Sequence, residues 1–204
     1  MRLERLEATQ RPEKLKAVFD GETLTVSASL CVQFLLCAGM ELDEEAFSAL
    51  KAAVAKEAAR ERAVRILTAS AVSERELEKR LVQKGTLPAD AADAVAWLKE
   101  HRFLDDAATA AQLVDSAVRK GYGRARVKNI LYEKGIPKDL WDEALARIPA
   151  MDDAIDRFLA AKLRGRTADE KTIKKTIDAL LRRGHAWGDI RRALERYDPD
   201  LPEE

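Results

Sequence analysis

Leu131-Tyr-Glu-Lys134-Gly135 is the stretch that decides the fold, because the chain uses its pattern three times. The same Leu-x-x-(Lys/Arg)-Gly stands at Leu81-Val-Gln-Lys84-Gly85 and at Leu180-Leu-Arg-Arg183-Gly184. The glycines are 50 and 49 residues apart. Nine residues past each glycine come Ala94, Ala144 and Ala193, and the next position gives Val95, Leu145 and Leu194. Three further on stand Leu98, Ile148 and Tyr197. Those offsets describe one apolar stripe on a helix that follows the glycine. A period of this length marks a repeat architecture, in which short units bury their apolar faces by stacking.

Each unit reads as a helix, a helix ending at glycine, and a third helix. The spacing predicts repeats over 58–104, 105–149 and 150–197, with a frayed tail at 198–204. Ser73-Glu-Arg-Glu76 is a capping box, in which the serine hydroxyl and the glutamate satisfy free amides at a helix start. Asp105 offers the next cap, and Pro137 sits where a first-turn proline is tolerated. The third repeat has a longer link around Gly165 and a second capping box, Thr167-x-x-Glu170.

Residues 1–57 read differently. Leu15, Ala17 and Phe19 alternate up to Asp20-Gly21, and Leu24 and Val26 follow. Asp-Gly between alternating runs predicts a hairpin whose turn has positive φ at both central residues. Arg2–Glu7 is the candidate third strand. A helix is expected from Ala28 to about Cys37, closed by a left-handed Gly39. Asp43 then caps a helix carrying Phe47, Leu50 and Val54. The expected class is mainly α: three tandem three-helix repeats in an elongated array, preceded by a small N-terminal β-hairpin and helix element.

Composition narrows the function. The 204 residues carry 36 Lys+Arg against 36 Asp+Glu, and 47% are hydrophobic. That is too apolar for a disordered charged tail. Nine glycines and six prolines are too few for an all-β fold rich in tight turns. The apolar stretch Ala28–Met40 contains Gln33 and falls short of the roughly 20 residues that span a bilayer. The N-terminus lacks the apolar core of a signal peptide. Cys31 and Cys37 are expected as a buried, reduced pair. With His101 and His185 as the only histidines and no Cys-x-x-Cys, no zinc site is expected. His185 reads as a partly exposed turn residue. Asp105-Asp106 and Asp152-Asp153 read as helix caps rather than acid/base pairs. Trp97, Trp141 and Trp187 read as packing residues. No catalytic, cofactor or metal signature emerges.

The zero net charge conceals an uneven distribution. Arg119–Lys138 holds seven basic residues and one acid, and Lys162–Arg192 holds ten against four. Residues 1–57 are net −3, and Glu195–Glu204 is net −4. The denser segment contains Arg119, Lys120, Tyr122, Arg124, Arg126 and Lys128. Its two glycines around Tyr122 expose backbone at a helix start, where nearby cations and free amides suit a phosphate or carboxylate. Tyr122 is a candidate to stack on a base or to dock in a protein pocket; the plain alternative is a solvated helix with Tyr122 as loop anchor. Lys174, Lys175, Arg182, Arg183, Arg191 and Arg192 form the second cluster, spread by helical spacing over more than one face.

The run Lys120-Gly-Tyr-Gly-Arg-Ala-Arg-Val-Lys-Asn-Ile-Leu-Tyr-Glu-Lys-Gly-Ile136 resembles the central motif of the RecX regulatory proteins. Ser73-Glu-Arg-Glu-Leu-Glu-Lys-Arg-Leu81-Val-Gln-Lys-Gly85 and Phe103-Leu-Asp-Asp106 resemble theirs as well. The likeness spans roughly 58–197. Where that family commonly has Gly-Tyr before its Leu-(Asp/Asn)-Asp, this chain has Arg102-Phe103. Where the family has an aromatic-Ala pair, it has Thr109-Ala110.

The resemblance implies a cytoplasmic, cofactor-free regulator, not an enzyme, acting in DNA repair, recombination and the SOS response. Its implied partner is the nucleoprotein filament of the RecA recombinase, whose assembly and ATP-dependent activity it restrains. The expected chain is a monomer touching more than one protomer, with Arg119–Lys128 as main contact, aided by the third-repeat cluster. Acidic groups of the recombinase and phosphates of single- or double-stranded DNA both fit such a contact. A stand-alone DNA-binding helical-repeat module is the competing reading.

Overall fold

The structure, a computed structural model, describes residues 1–163 and 170–197. Three strands open the chain: β1 (Leu3–Ala8), β2 (Lys14–Phe19) and β3 (Glu22–Ser27). They form an antiparallel sheet in the order β1-β2-β3, and β1 is the predicted third strand. Phe19 pairs with Glu22 across the two-residue turn Asp20-Gly21. Of these two only Gly21 is left-handed, at φ +77°. The expected pair of positive φ angles is therefore halved, and the Asp20 carboxylate accepts the Arg2 N–H at 2.8 Å.

Helix α1 (Ala28–Gln33) is capped by the Ser27 hydroxyl, which accepts the Leu30 amide at 3.1 Å. It stops a turn before the expected Cys37. Leu35 takes the left-handed conformation at φ +51°. The Leu36 amide then reaches back to the Cys31 carbonyl at 2.9 Å, and the Leu35 amide to Val32 at 3.2 Å. This paired closure is a Schellman cap. Gly39 is left-handed too, but it belongs to the loop beyond. The early stop corrects the expected burial of the cysteines: Cys37 is exposed in the loop, while Cys31 is half-buried and burial pushes its thiol pKa up.

Helix α2 (Glu44–Ala69) starts on Asp43, whose carboxylate accepts the Ala46 amide at 2.7 Å. It runs unbroken for 26 residues, through 57/58. Its first half buries Phe47 and Leu50 in the core that holds Phe19 and Val26. The rings of Phe19 and Phe47 meet edge to face at 4.9 Å. Its second half buries Ala59, Ala63 and Ile66, and α2 packs on α4 (Pro88–Glu100). Arg60 bonds Asp93 through Nε at 3.1 Å and Nη2 at 2.9 Å, and its guanidinium lies over the Trp97 ring. Burial opposes ionisation of Asp93, yet hydrogen bonds from Lys56 and Arg60 hold its carboxyl below the usual carboxylate range. Met1–Ala69 and Leu77–Phe103 make one compact unit.

The second unit joins Ser70–Glu76 to the described residues from Leu104 onward. Helix α3 (Glu74–Gln83) begins in it. It also contains α5 (Asp106–Arg119), α6 (Arg124–Glu133), α7 (Trp141–Ala146), α8 (Asp152–Leu163), α9 (Glu170–Arg182) and α10 (Trp187–Tyr197). Asp105 caps α5 as expected, accepting the Ala107 and Ala108 amides at 2.8 and 3.0 Å. Pro137 precedes a short 3-10 turn, Lys138–Leu140, that leads into α7. The apolar stripe read from the repeat is buried at Ala94, Ala144 and Ala193 and at Val95, Leu145 and Leu194. It fades at the last position: Leu98 is buried, Ile148 half-buried and Tyr197 exposed. The chain is thus mainly helical with a small three-stranded N-terminal sheet. Gly165, Thr167 and 198–204 lie outside the described residues.

The Leu-x-x-(Lys/Arg)-Gly motif has a physical reason at each position. The amide after the glycine bonds the leucine carbonyl: Thr86 to Leu81 at 3.1 Å, Ile136 to Leu131 at 3.0 Å and His185 to Leu180 at 3.2 Å. The glycine amide bonds the carbonyl of the residue after the leucine in all three, which completes a Schellman cap. The geometry needs a left-handed residue, and the glycines have φ of +83°, +69° and +84°. The leucine side chains are fully buried, and the cation before the glycine suits the negative helix end. Arg102 closes α4 in the same way at φ +58°, with its amide on Lys99 and that of Phe103 on Leu98. A side chain there carries roughly 1 kcal/mol of strain that glycine avoids.

Candidate functional site

The two basic segments of the sequence meet at one joint inside the second unit. One side is the α5–α6 loop, Lys120-Gly-Tyr-Gly123; the other is the α9–α10 turn, Arg183-Gly184-His185. The Gly123 amide donates to the Arg183 carbonyl at 2.9 Å, and the Ala125 amide to the Gly184 carbonyl at 3.1 Å. The first amides of α6 are thereby satisfied by carbonyls at the end of α9, opposite partial charges meeting end to end. Neither glycine tolerates a side chain. A Cβ on Gly123 would fall on the Gly184 carbonyl, and one on Gly184 on the Arg126 backbone, both inside 3.0 Å.

Side chains fasten the same joint. Arg183 Nη1 donates to the Lys120 carbonyl at 2.9 Å. Its guanidinium lies 5.7 Å from the centroid of the Tyr122 ring and 4.9 Å from that of Phe158. His185 is buried, correcting the expected partly exposed turn residue, with Nε2 at 3.1 Å from the Gly121 carbonyl. Burial pushes its pKa below the ordinary histidine value; the Gly121 bond offsets part of this, and Arg183 adds to the depression. The fold therefore favours neutral imidazole. Its contribution is complete above the unfolded pKa of about 6.5 and is lost as pH falls below it. Thermal melting of the chain at pH 7.5 and pH 5.5 should show a drop that His185→Gln reduces; an equal drop in both proteins would exclude this role.

The joint has a counterpart one repeat earlier. The Ser73 hydroxyl donates to the Lys134 carbonyl, and Gly135 faces Ser73 Oγ and Arg75 Cβ, each 3.3 Å from where its own Cβ would be. Ser73 also accepts the Glu76 amide at 3.1 Å, the serine half of the predicted capping box. The Glu76 carboxylate bonds Lys134 Nζ at 3.2 Å. In both joints the carbonyl of the cation before the glycine is gripped by the residue that opens the preceding repeat's second helix. At the earlier joint Glu76 neutralises that cation; Arg183 has no acidic partner among the described residues.

The cations divide into engaged and free. Arg124 donates to the Leu145 carbonyl at 3.2 Å, and Arg126 pairs with Glu133 at 3.1 Å. Arg191 pairs with Glu195 at 2.8 Å, and Arg192 with Asp189. Arg119, Lys120, Lys128, Lys174, Lys175 and Arg182 are exposed and have no acidic partner among the described residues. The joint brings Arg119 and Lys120 toward Arg182 and Arg183. Lys174 and Lys175 stand about 11 Å up the α9 axis from Arg182. Lys175, seven residues before Arg182, shares its exposed face. Lys128 is one turn along α6 from Arg124.

Comparison with known proteins now identifies the scaffold. Residues 59–98 match the model of the first three-helix domain of RecX, and 105–145 that of the second. A regulatory protein RecX of Cronobacter sakazakii is 33% identical over 153 residues, covering 68% of this chain and 91% of that protein. The chain belongs to the RecX family. A RecX of Vibrio campbellii is 30% identical over 143 residues, covering 69% and 92%. A crystal structure of a regulatory protein RecX superposes with TM-score 0.72 at 21% identity, over 95% of this chain and 98% of that one. RecX from Lactobacillus salivarius gives 0.64 at 16% identity, over 72% and 99%. The relatives are named regulatory proteins.

Within this RecX scaffold the structure bears on three local readings. Tyr122 is half-buried against the second repeat's core beneath Arg183, as a loop anchor. The helix start behind it holds carbonyls of its own chain rather than an open place for an anion, because α9 ends there. Of the tryptophans expected to pack, Trp97 is covered by Arg60 and Trp141 donates Nε1–H to the Ile136 carbonyl at 3.0 Å, but Trp187 is 48% exposed. The repeat carried that signal. Trp187 stands three residues past its glycine, where the other repeats have Pro88 and Lys138. Among the described residues no cluster of His, Cys, Asp and Glu is arranged to hold a metal ion, and no helix is long and apolar enough to cross a membrane.

Proposed function

We propose that the chain binds the nucleoprotein filament of the RecA recombinase in the cytoplasm and inhibits its assembly and ATP-dependent activity in DNA repair and recombination. The observation that carries this reading is the joint. Two basic segments separated in sequence present Arg119, Lys120 and Arg182 at one place without acidic partners among the described residues. A repeat protein on a filament gains from multivalency, because each further contact is made at high effective concentration. The bound chain obstructs protomer addition and the motions coupled to ATP hydrolysis.

The test is DNA-dependent ATP hydrolysis by a bacterial RecA, titrated with this protein. Inhibition well below one chain per protomer is expected. No inhibition at equimolar protein, with tight binding to bare DNA in a gel shift, would instead identify a stand-alone DNA-binding module.

A further inference from the structure

Trp187 opens α10 with about half its surface in solvent. It lies two residues beyond His185, whose ring is tied to the Gly121 carbonyl at 3.1 Å. Cα spacing keeps its Cα within about 7.6 Å of the His185 Cα. The residue after it, Gly188, adds no side chain beside the indole, and the next side chains on the helix, Asp189 and Arg192, pair with each other. Arg119 and Lys120 on one side of the joint and Arg182 on the other carry charge with no acidic partner among the described residues. A large aromatic held in water contributes nothing to the fold by its exposed face.

We infer that Trp187 is a stacking platform for a base of single-stranded nucleic acid whose phosphates lie on Lys120 and Arg182. The inference rests on the joint being a polyanion site and adds the identity of the polyanion. An acidic peptide answers the cations but brings no ring. A duplex keeps its base faces stacked inside. A single strand offers both a charged backbone and free π faces, and aromatic stacking accepts any base.

The experiment compares a labelled oligothymidylate with an abasic deoxyribose-phosphate oligomer of equal length, by fluorescence anisotropy with the full chain. The intact protein should bind the thymidylate about 5- to 100-fold more tightly. Trp187→Ala should bind both alike with an unchanged salt slope, since no charge is lost, and Trp187→Phe should restore most of the preference. Lys120→Ala should lower the log–log salt slope by about 0.7 and keep the preference. Equal binding of both oligomers by the intact protein, or a preference that survives in Trp187→Ala, overturns the stacking role alone. Binding of neither oligomer overturns the polyanion reading of the joint with it.

Discussion

Gly184→Ala is expected to destabilise the second unit by about 3 kcal/mol or more, and Gly85→Ala by only about 1. Both glycines are left-handed, so both substitutions meet the same backbone penalty, roughly 1–2 kcal/mol. Their surroundings differ. Nothing lies within 4 Å of a Cβ on Gly85, whereas one on Gly184 collides with the Arg126 backbone. Backbone does not rotate away as a side chain does, so the loop and turn must separate. Overpacking of this kind adds about 1–3 kcal/mol. Separation would also break the bonds from Gly123 and Ala125 to the α9 carbonyls and expose His185. Urea denaturation of the two variants beside the parent gives the comparison. Equal midpoints for the two alanine variants would show that the close approach carries no weight.

The second large effect concerns charge. Lys120→Glu with Arg182→Glu is expected to raise the concentration needed for half-inhibition of RecA ATP hydrolysis on the order of 10- to 100-fold. Each single-strand phosphate contact contributes a salt slope of about −0.7, so losing two removes about 25-fold in affinity between 1 M and 0.1 M salt. Reversal adds repulsion. Both side chains are exposed and hold no described acidic partner, so helicity by circular dichroism should be unchanged. Arg191→Glu with Arg192→Glu is the comparison, because those cations pair with Glu195 and Asp189. Loss of inhibition in both variants alike would point to overall charge rather than to the joint.

The N-terminal sheet, the helical repeats and the capping residues Ser73 and Asp105 were legible because they depend on near neighbours in sequence. A left-handed glycine after a buried leucine, or a carboxylate one residue before a helix, acts within a few residues. The same locality explains the misses. Nothing near Leu35 announces a left-handed leucine, and nothing near Cys37 announces that α1 stops early. Arg102 shows that an arginine can occupy a turn that prefers glycine.

The basic segments were legible as charge, but their use was not. Arg124 and Arg126 look like Lys128 in the sequence; only the positions of Leu145 and Glu133 separate the engaged cations from the free one. Tyr122 and Trp187 show the same limit: Arg183, some sixty residues from the tyrosine, covers its ring and makes it the loop anchor of its plainer reading, while Trp187, read as a packing residue, stands half in solvent. By itself the sequence determined the helices of the repeats, the ends marked by Leu-x-x-(Lys/Arg)-Gly and by Ser73 and Asp105, the repeat and the two pools of positive charge, since periodicity and caps are short-range physics. Tertiary structure alone decided that Gly123 and Gly184 touch, and hence where those pools converge. That choice is made by hydrogen bonds and excluded volume between residues that the chain brings together only on folding.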